Sequence, residues 1–160
     1  MQFNRFTTKA QEALFKAQEI ASAHAQFQVD ALHLLASLIR QEESVVTTIL
    51  AKLEINIELL KTQTERDIST LERSPTNVPF GQVYVTQELA KVFEKSTKIS
   101  MLLKDEFIST EHLFLALLEV ESKAKLILTA FNVDSDAALK ILAMARGAQR
   151  VVDPEPEAKY

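Results

Sequence analysis

Apolar positions recur at three- and four-residue spacing from the start of the chain: Ala10, Ala13, Leu14, Ala17 and Ala21 line one face of a helix that opens after Thr7. Phe15 falls about 100° off the stripe through Leu14 on an ideal helix, which leaves two readings, exposure to solvent or, as for Phe3 and Phe6 ahead of the cap, packing against the loop or core. Asp30 has the chemistry of an N-cap, and Val29 before it is spaced to pack on Leu34 as a hydrophobic staple. A second helix therefore carries Leu34, Leu35 and Leu38 inward. Ser44 and Asn56 cap two more, the last with Ile55 stapled to Leu60. That helix fades near Arg73, where Ser74, Pro75, Pro79 and Gly81 make continuation costly.

The pattern then starts again. Thr7 and Thr86, Ile20 and Ile99, His33 and His112, and Leu38 and Leu117 are each 79 residues apart. Lys16 and Lys95, Ala51 and Ala130, and Leu60 and Leu139 keep that offset, whereas the turns at 53–56 and 131–134 are offset by 78, which places a one-residue deletion at that turn. Ile108 and Ser109 repeat the staple and cap of Val29 and Asp30, so a helical plan is duplicated and not merely a composition.

The predicted fold is all-α: a duplicated four-helix repeat, about eight helices, with pseudo-two-fold symmetry in a single globular domain. The domain covers 1–146, with repeat one at about 6–72, a loop at 73–85 and repeat two at about 86–146; 147–160 is a linker. Each repeat alone is near the size where a core is marginal, so the two should bury their apolar faces against each other. A surface groove is expected at their outer seam, and binding should be sought there.

Composition narrows the chemistry. With 160 residues, 47% of them hydrophobic and 25% charged, the chain is an ordinary globular domain whose core needs no covalent staple. The absence of cysteine removes thiol catalysis and cysteine-based metal sites and fits a reducing compartment. A net charge of −4 argues against nucleic acid as a partner. Apolar runs such as Leu113 to Leu118 are far short of the ~20 residues a spanning helix requires, so no membrane is expected. Met1 to Ala10 has no secretory pattern, which leaves the cytoplasm as the expected compartment.

Gly81 and Gly147 are the only glycines, too few for a phosphate loop or a dinucleotide fingerprint. His24, His33 and His112 lack ligand spacing, so no metal is expected; His33 and His112, each three residues after a cap, read as structural hydrogen bonders. The adjacent carboxylates Asp105 with Glu106 and Glu42 with Glu43 read as solvated turns. No triad pattern emerges, and no catalytic residue is assigned.

The Phe6-Thr7-Thr8-Lys9-Ala10-Gln11-Glu12-Ala13-Leu14 opening, the Ile108-Ser109-Thr110-Glu111-His112-Leu113 segment and the duplication resemble the N-terminal domain of the Clp ATPases. The tail, Arg146-Gly147-Ala148-Gln149-Arg150-Val151-Val152-Asp153 followed by Pro154-Glu155-Pro156-Glu157, is similar to the junction that leads into the first ATPase module of the ClpB-type disaggregases. The resemblance spans essentially the whole chain. Its single motifs are weakly specific, while their order, the duplication and the tail together are specific.

The resemblance implies a role in stress response and protein quality control. In that family the full protein is a hexameric, ATP-driven chaperone that threads aggregated polypeptide through a pore. This domain would be a non-catalytic module that captures unfolded or aggregated polypeptide weakly, through an apolar groove between the repeats. The alternative is an adaptor-binding regulatory domain of a Clp protease ATPase subunit. The implied partners are unfolded polypeptide, the ATPase modules of the same chain and an adaptor; no cofactor is expected in this domain, ATP belonging to the ATPase modules. Asp153 to Glu157, with two prolines and three carboxylates, would act as an extended mobile tether.

The same resemblance links function to a threonine at the first helix cap and to two acids near the second helix of repeat two, positions matched here by Thr7, Asp105 and Glu111. Phe3, Phe6 and Phe15 join them as apolar substrate-binding candidates. Family members that read phosphoarginine carry an acid before the histidine in both repeats. Here Leu32 replaces one of them and only Glu111 remains, which argues against that ligand.

Overall fold

The computed structural model describes residues 5–73, 84–147 and 154. Among them the chain forms two runs of four helices. The first run is α1 (Thr8–Ala23), α2 (Ala31–Arg40), α3 (Val45–Lys52) and α4 (Ile57–Ser69). The second is α5 (Gln87–Leu102), α6 (Thr110–Glu119), α7 (Lys123–Ala130) and α8 (Ser135–Arg146). Two short strands, β1 (Gln28–Val29) and β2 (Tyr84–Val85), complete the described elements. The all-α duplicated plan is thus the observed one.

Side-chain oxygens open the helices. Thr7, Ser44 and Asn56 accept from the backbone N–H three residues on, and Thr86, Ser122 and Asp134 do the same in the second run. At α2 and α6 a histidine completes the cap. The N–H of Asp30 donates to His33 Nδ1 at 2.8 Å, and the N–H of Ser109 donates to His112 Nδ1 at 2.8 Å, the part a glutamate or glutamine usually plays.

Helix ends are less conventional. Helices α1, α3, α5 and α7 run into left-handed residues that are not glycine: Ala25, Glu54, Lys104 and Asn132, with φ between 56° and 60°. In each case the next N–H turns back to a carbonyl in the helix, as from Gln26 to Ala21 (2.9 Å) and from Asp105 to Ser100 (2.8 Å). These are Schellman closures, in which the returning bond offsets part of the Cβ strain. Among the described residues only α8 ends on a glycine, Gly147, at φ 58°.

The duplication is exact through α2 and α6, whose bounds are offset by 79; from α3 and α7 onward the helix starts are offset by 78. The one-residue difference therefore lies between α2 and α3, one helix earlier than the repeated leucines suggest. Glu43, left-handed at φ 50°, is the residue without a counterpart in the shorter turn between α6 and α7. Ala51 is consequently equivalent to Thr129, and Leu60 to Ala138. Burial agrees: Leu60 and Ala138 are both fully buried, whereas Leu139 is 43% exposed.

Helices α2 and α6 form the centre. Every residue from Ala31 to Ile39 and from Thr110 to Leu118 is buried, because both helices are wrapped by neighbours: α1 and α4 cover α2, α5 and α7 cover α6, and α2 and α6 touch each other. Each fully buried leucine there contributes about 1.5–3 kcal/mol.

The repeats also interlock through backbone. Val29 pairs with Val85 in the parallel β1–β2 bridge, and Phe6 pairs with Ile108 in a second parallel bridge. Residue 85 is the counterpart of 6, and 108 of 29, so each repeat inserts the residue before its first cap beside the residue before the other repeat's second cap. The N–H of Thr7 donates to Ile108 O (2.9 Å) and that of Thr86 to Val29 O (3.0 Å), which shows the pseudo-two-fold directly.

A candidate binding groove between the repeats

The outer face of α1 does not pack against another helix along its whole length. Between it and the seam of the repeats lies a groove of about 760 Å³. Leu14 and Phe15 of α1 form one wall, Val29 and Val85 of the strand bridge together with Leu89 and Phe93 of α5 the other, and Ser37, Arg40 and Gln41 close one end. Phe15 is 64% exposed and Val85 44%, so apolar area is presented to solvent. Charge is confined to the rim, where Lys16 pairs with Glu19 (3.6 Å) and Arg40 with Glu65.

A second, smaller groove of about 430 Å³ is lined by Arg5, Phe6, Ala90, Phe93, Glu94, Thr97 and Ile108. By the 79-residue offset it is the pseudo-two-fold partner of the first: Phe6 stands for Val85, Phe93 for Leu14, and Glu94 for Phe15. Symmetry thus gives the domain two grooves, of which only one carries an exposed aromatic on its helical wall.

The candidate residues are not brought to one place. Phe15 lines the larger groove. Phe6 is buried under the smaller one, edge-on to Phe93 with ring centroids 6.2 Å apart. Thr7 is buried: its Oγ1 accepts from the Ala10 N–H at 3.2 Å and its own N–H is held by Ile108. Phe3 lies outside the described residues. Asp105 and Glu111 are buried in repeat two and line neither groove, Glu111 in the first turn of α6 where a carboxylate meets the helix dipole favourably.

Asp105 corrects the expectation of a solvated turn. Its Oδ2 accepts from His112 Nε2 at 2.7 Å, and its Oδ1 from Arg146 Nη2 at 2.5 Å, all three side chains being buried. The counterpart in repeat one is neutral. Gln26 Oε1 accepts from His33 Nε2 at 2.7 Å, and Gln26 Nε2 donates at 2.7 Å to the carbonyl of Ile68, the residue equivalent to Arg146. Burial pushes the His33 pKa down to about 4, the nearby Asp30 opposing and His24 reinforcing the shift. Both histidines are structural hydrogen bonders, and they tie the cap of each central helix to the end of its repeat.

Val85, Leu89 and Val29 escaped the sequence reading as groove residues. The available signal was the position of Val85: like Phe6, it directly precedes a threonine cap.

With that geometry in place, comparison with known proteins is decisive. The Clp repeat N-terminal domain family matches residues 5–131. The chain belongs to the Clp N-terminal domain family. The ClpB chaperone of Bacillus cereus is 34% identical over 164 residues, covering 100% of this chain and 19% of that protein. The chain thus spans about a fifth of the length of the curated relatives it matches. Among solved structures, the Hsp104 N-terminal domain of Candida albicans superimposes with a TM-score of 0.82 at 24% identity, over 95% of this chain and 98% of that one. A ClpV N-domain in complex with a VipB peptide matches with a TM-score of 0.68 at 17% identity, over 89% of this chain and 87% of that one. No helix among the described residues is long and apolar enough to cross a membrane.

Proposed function

We propose that this Clp N-terminal domain is a non-catalytic capture module: exposed apolar stretches of unfolded or aggregated polypeptide lodge in the groove between α1 and the strand bridge, for delivery to an ATP-driven disaggregase. The observation that carries the reading is the half-open apolar wall of Phe15, Leu14 and Val85 beside a rim of mixed charge. Such a surface grips side chains without demanding one sequence. The peptide bound to the structurally similar ClpV N-domain supports a polypeptide ligand, and the chaperone names of the ClpB relatives support the client class.

The contact area available to a short segment suits weak binding, on the order of 100 μM or about −5.5 kcal/mol. Weakness is useful here, since a client must be released, and several domains around one ring would raise the effective affinity. Thr7, Asp105 and Glu111 act in this reading by holding the walls in place, not by touching the client. Titration of the domain into a labelled, permanently unfolded polypeptide tests it: micromolar-to-millimolar binding is expected, and hardly any to the same protein in its native state. Nanomolar, stoichiometric binding to one folded protein would instead establish the adaptor-docking alternative, for which the rim of Glu12, Lys16, Glu19 and Arg40 would supply the specificity.

A further inference from the structure

At one seam the pseudo-two-fold is broken. In repeat one the end of α1 is clasped to α4 by polar groups: His24 Nε2 meets Glu65 Oε1 at 2.8 Å, and Arg40 holds the other carboxylate oxygen. The equivalent residues in repeat two, where α5 ends against α8, are Leu103, Ala143 and Glu119. Leu103 and Ala143 have no polar group to form a clasp, and Glu119 pairs with Lys95 at 3.2 Å. In its place a hollow of about 280 Å³ opens between the two helices, with Leu102, Leu103, Lys104, Leu139 and Ala143 in its lining.

The surface around the hollow has diverged in the same direction. Ser22, Ala23, Lys61 and Arg66 of repeat one have Met101, Leu102, Leu139 and Met144 as their counterparts, and Leu102 and Met144 are 79% and 82% exposed. The fold of repeat one is served by polar or small residues at these positions, so packing does not demand the apolar set, which marks an interaction surface. Methionine is an adaptable residue of binding surfaces, and both methionines after Met1 stand here. Leu139, Leu142, Ala143 and Arg146 line the hollow at i, i+3, i+4 and i+7, so α8 offers it a helical ridge against which a further helix packs.

Charge selects the occupant. Lys98 lies one turn before Leu102, Lys140 one turn before Met144, and Lys104 lines the hollow. Lys95 and Lys125 of the same repeat are ion-paired, whereas none of these three is paired among the described residues. The acids nearest to them in sequence are Asp136, in the first turn of α8, and Glu106, in the bend after α5; Asp105 is taken up by His112 and Arg146. A second copy docked face to face would set lysines against lysines. We infer that this face docks an amphipathic helix of a folded partner protein, its apolar side chains filling the hollow and carboxylates on its flanks meeting Lys98, Lys104 and Lys140. The inference is independent of the capture reading, which concerns the groove of α1.

The probe that tests it is a hydrocarbon-stapled helix of about 15 residues, with leucine at i, i+3, i+4 and i+7 and glutamate on both flanks, titrated into the 160-residue chain and followed by amide shifts. Perturbations should centre on Met101, Leu102, Leu139 and Met144, and the same helix with lysine in place of glutamate should bind at least about tenfold more weakly at low salt. Leu103→His with Ala143→Glu carries the clasp of repeat one into the hollow; Leu102→Ala with Met144→Ser strips the exposed surface without changing charge or core. Each pair should weaken the glutamate helix about tenfold or more, the second deciding if the first does not fold. Absence of binding, shifts centred on the α1 groove, or undiminished affinity in Leu102→Ala with Met144→Ser would overturn the docking. Equal affinity for the two helices would overturn the acidic partner. Shifts at this face with phosphatidylglycerol vesicles and none with the helix would assign it to an anionic membrane surface, and self-association of the parent that the second pair abolishes would assign it to another copy; either result contradicts the inference. Carboxymethylated lactalbumin, an unfolded probe, should leave this face unmoved whether or not it binds at α1, so the two readings stand or fall separately.

Discussion

The two repeats share caps, closures and strand bridges, yet differ in charge at their buried ties and on their groove walls. Repeat one ties its central helix to its last with a glutamine, His33–Gln26–Ile68 O; repeat two uses an ion pair, His112–Asp105–Arg146. On the surface the difference runs the same way, uncharged Phe15 in one groove standing where Glu94 stands in the other. Duplication therefore preserved the geometry of the hydrogen-bonding positions while leaving their chemistry free to diverge, and function is argued from the divergence.

The largest effect is expected where the ties are broken. Asp105→Ala strands Arg146 and His112 in the interior and should cost about 3–5 kcal/mol in urea unfolding. Gln26→Ala leaves only neutral groups unsatisfied and should cost about 1–3 kcal/mol. Transplanting the first tie into the second repeat, Asp105→Gln with Arg146→Ile, should return to within about 2 kcal/mol of the parent. A double variant as damaged as Asp105→Ala would show that the two ties are not interchangeable.

Acid sharpens the same contrast. An unfolded histidine takes up its proton near pH 6.5, but His33 in the folded domain does so only at about 4. The unfolded chain binds more protons between those values, so the contribution of His33 is intact above about pH 6.5 and is lost progressively as pH falls toward 4, by about 3 kcal/mol in all. His33→Gln keeps an acceptor for the Asp30 N–H and should flatten that part of the loss, seen as a smaller change in urea midpoint between pH 7 and pH 4.5. An undiminished change would place the acid sensitivity elsewhere.

Exchanging the groove residues is a gentler test. Phe15→Glu makes the first groove like the second and should weaken unfolded-polypeptide binding about tenfold, or 1.4 kcal/mol, with little loss of stability because the ring is mostly exposed. Glu94→Phe should strengthen binding by opening a second apolar wall. The smallest effect lies at the closures: Glu54→Gly relieves a left-handed residue and should stabilise by about 0.5–1 kcal/mol, whereas the equivalent Asn132→Gly should gain less, since asparagine tolerates that conformation.

Much of this was legible in the chain. Caps at Thr7, Asp30, Ser44 and Asn56 are local chemistry, and the 79-residue echo exposes the duplication without any knowledge of packing. The position of the slip was not legible, because leucines recur on every helix and Leu60 aligns as well with Leu139 as with the correct Ala138; burial alone separates them. Schellman ends built on Ala25, Glu54 and Lys104 carry no glycine to announce them. The burial of Asp105 depends on Arg146, 41 residues away, and a two-residue parallel bridge such as Val29 with Val85 has no periodicity to detect. Phe15 stood out for a simple reason, a large apolar side chain off the buried stripe, while the opposite wall needed the fold.

The most direct test of the central claim is amide chemical-shift mapping by NMR during titration with an unfolded polypeptide. Perturbations should cluster at Gln11, Leu14, Phe15, Val85 and Leu89 and need about tenfold more polypeptide in Phe15→Glu. Perturbations centred instead on the exposed Met101, Leu102, Leu139 and Met144 of repeat two, or unchanged in Phe15→Glu, would contradict it.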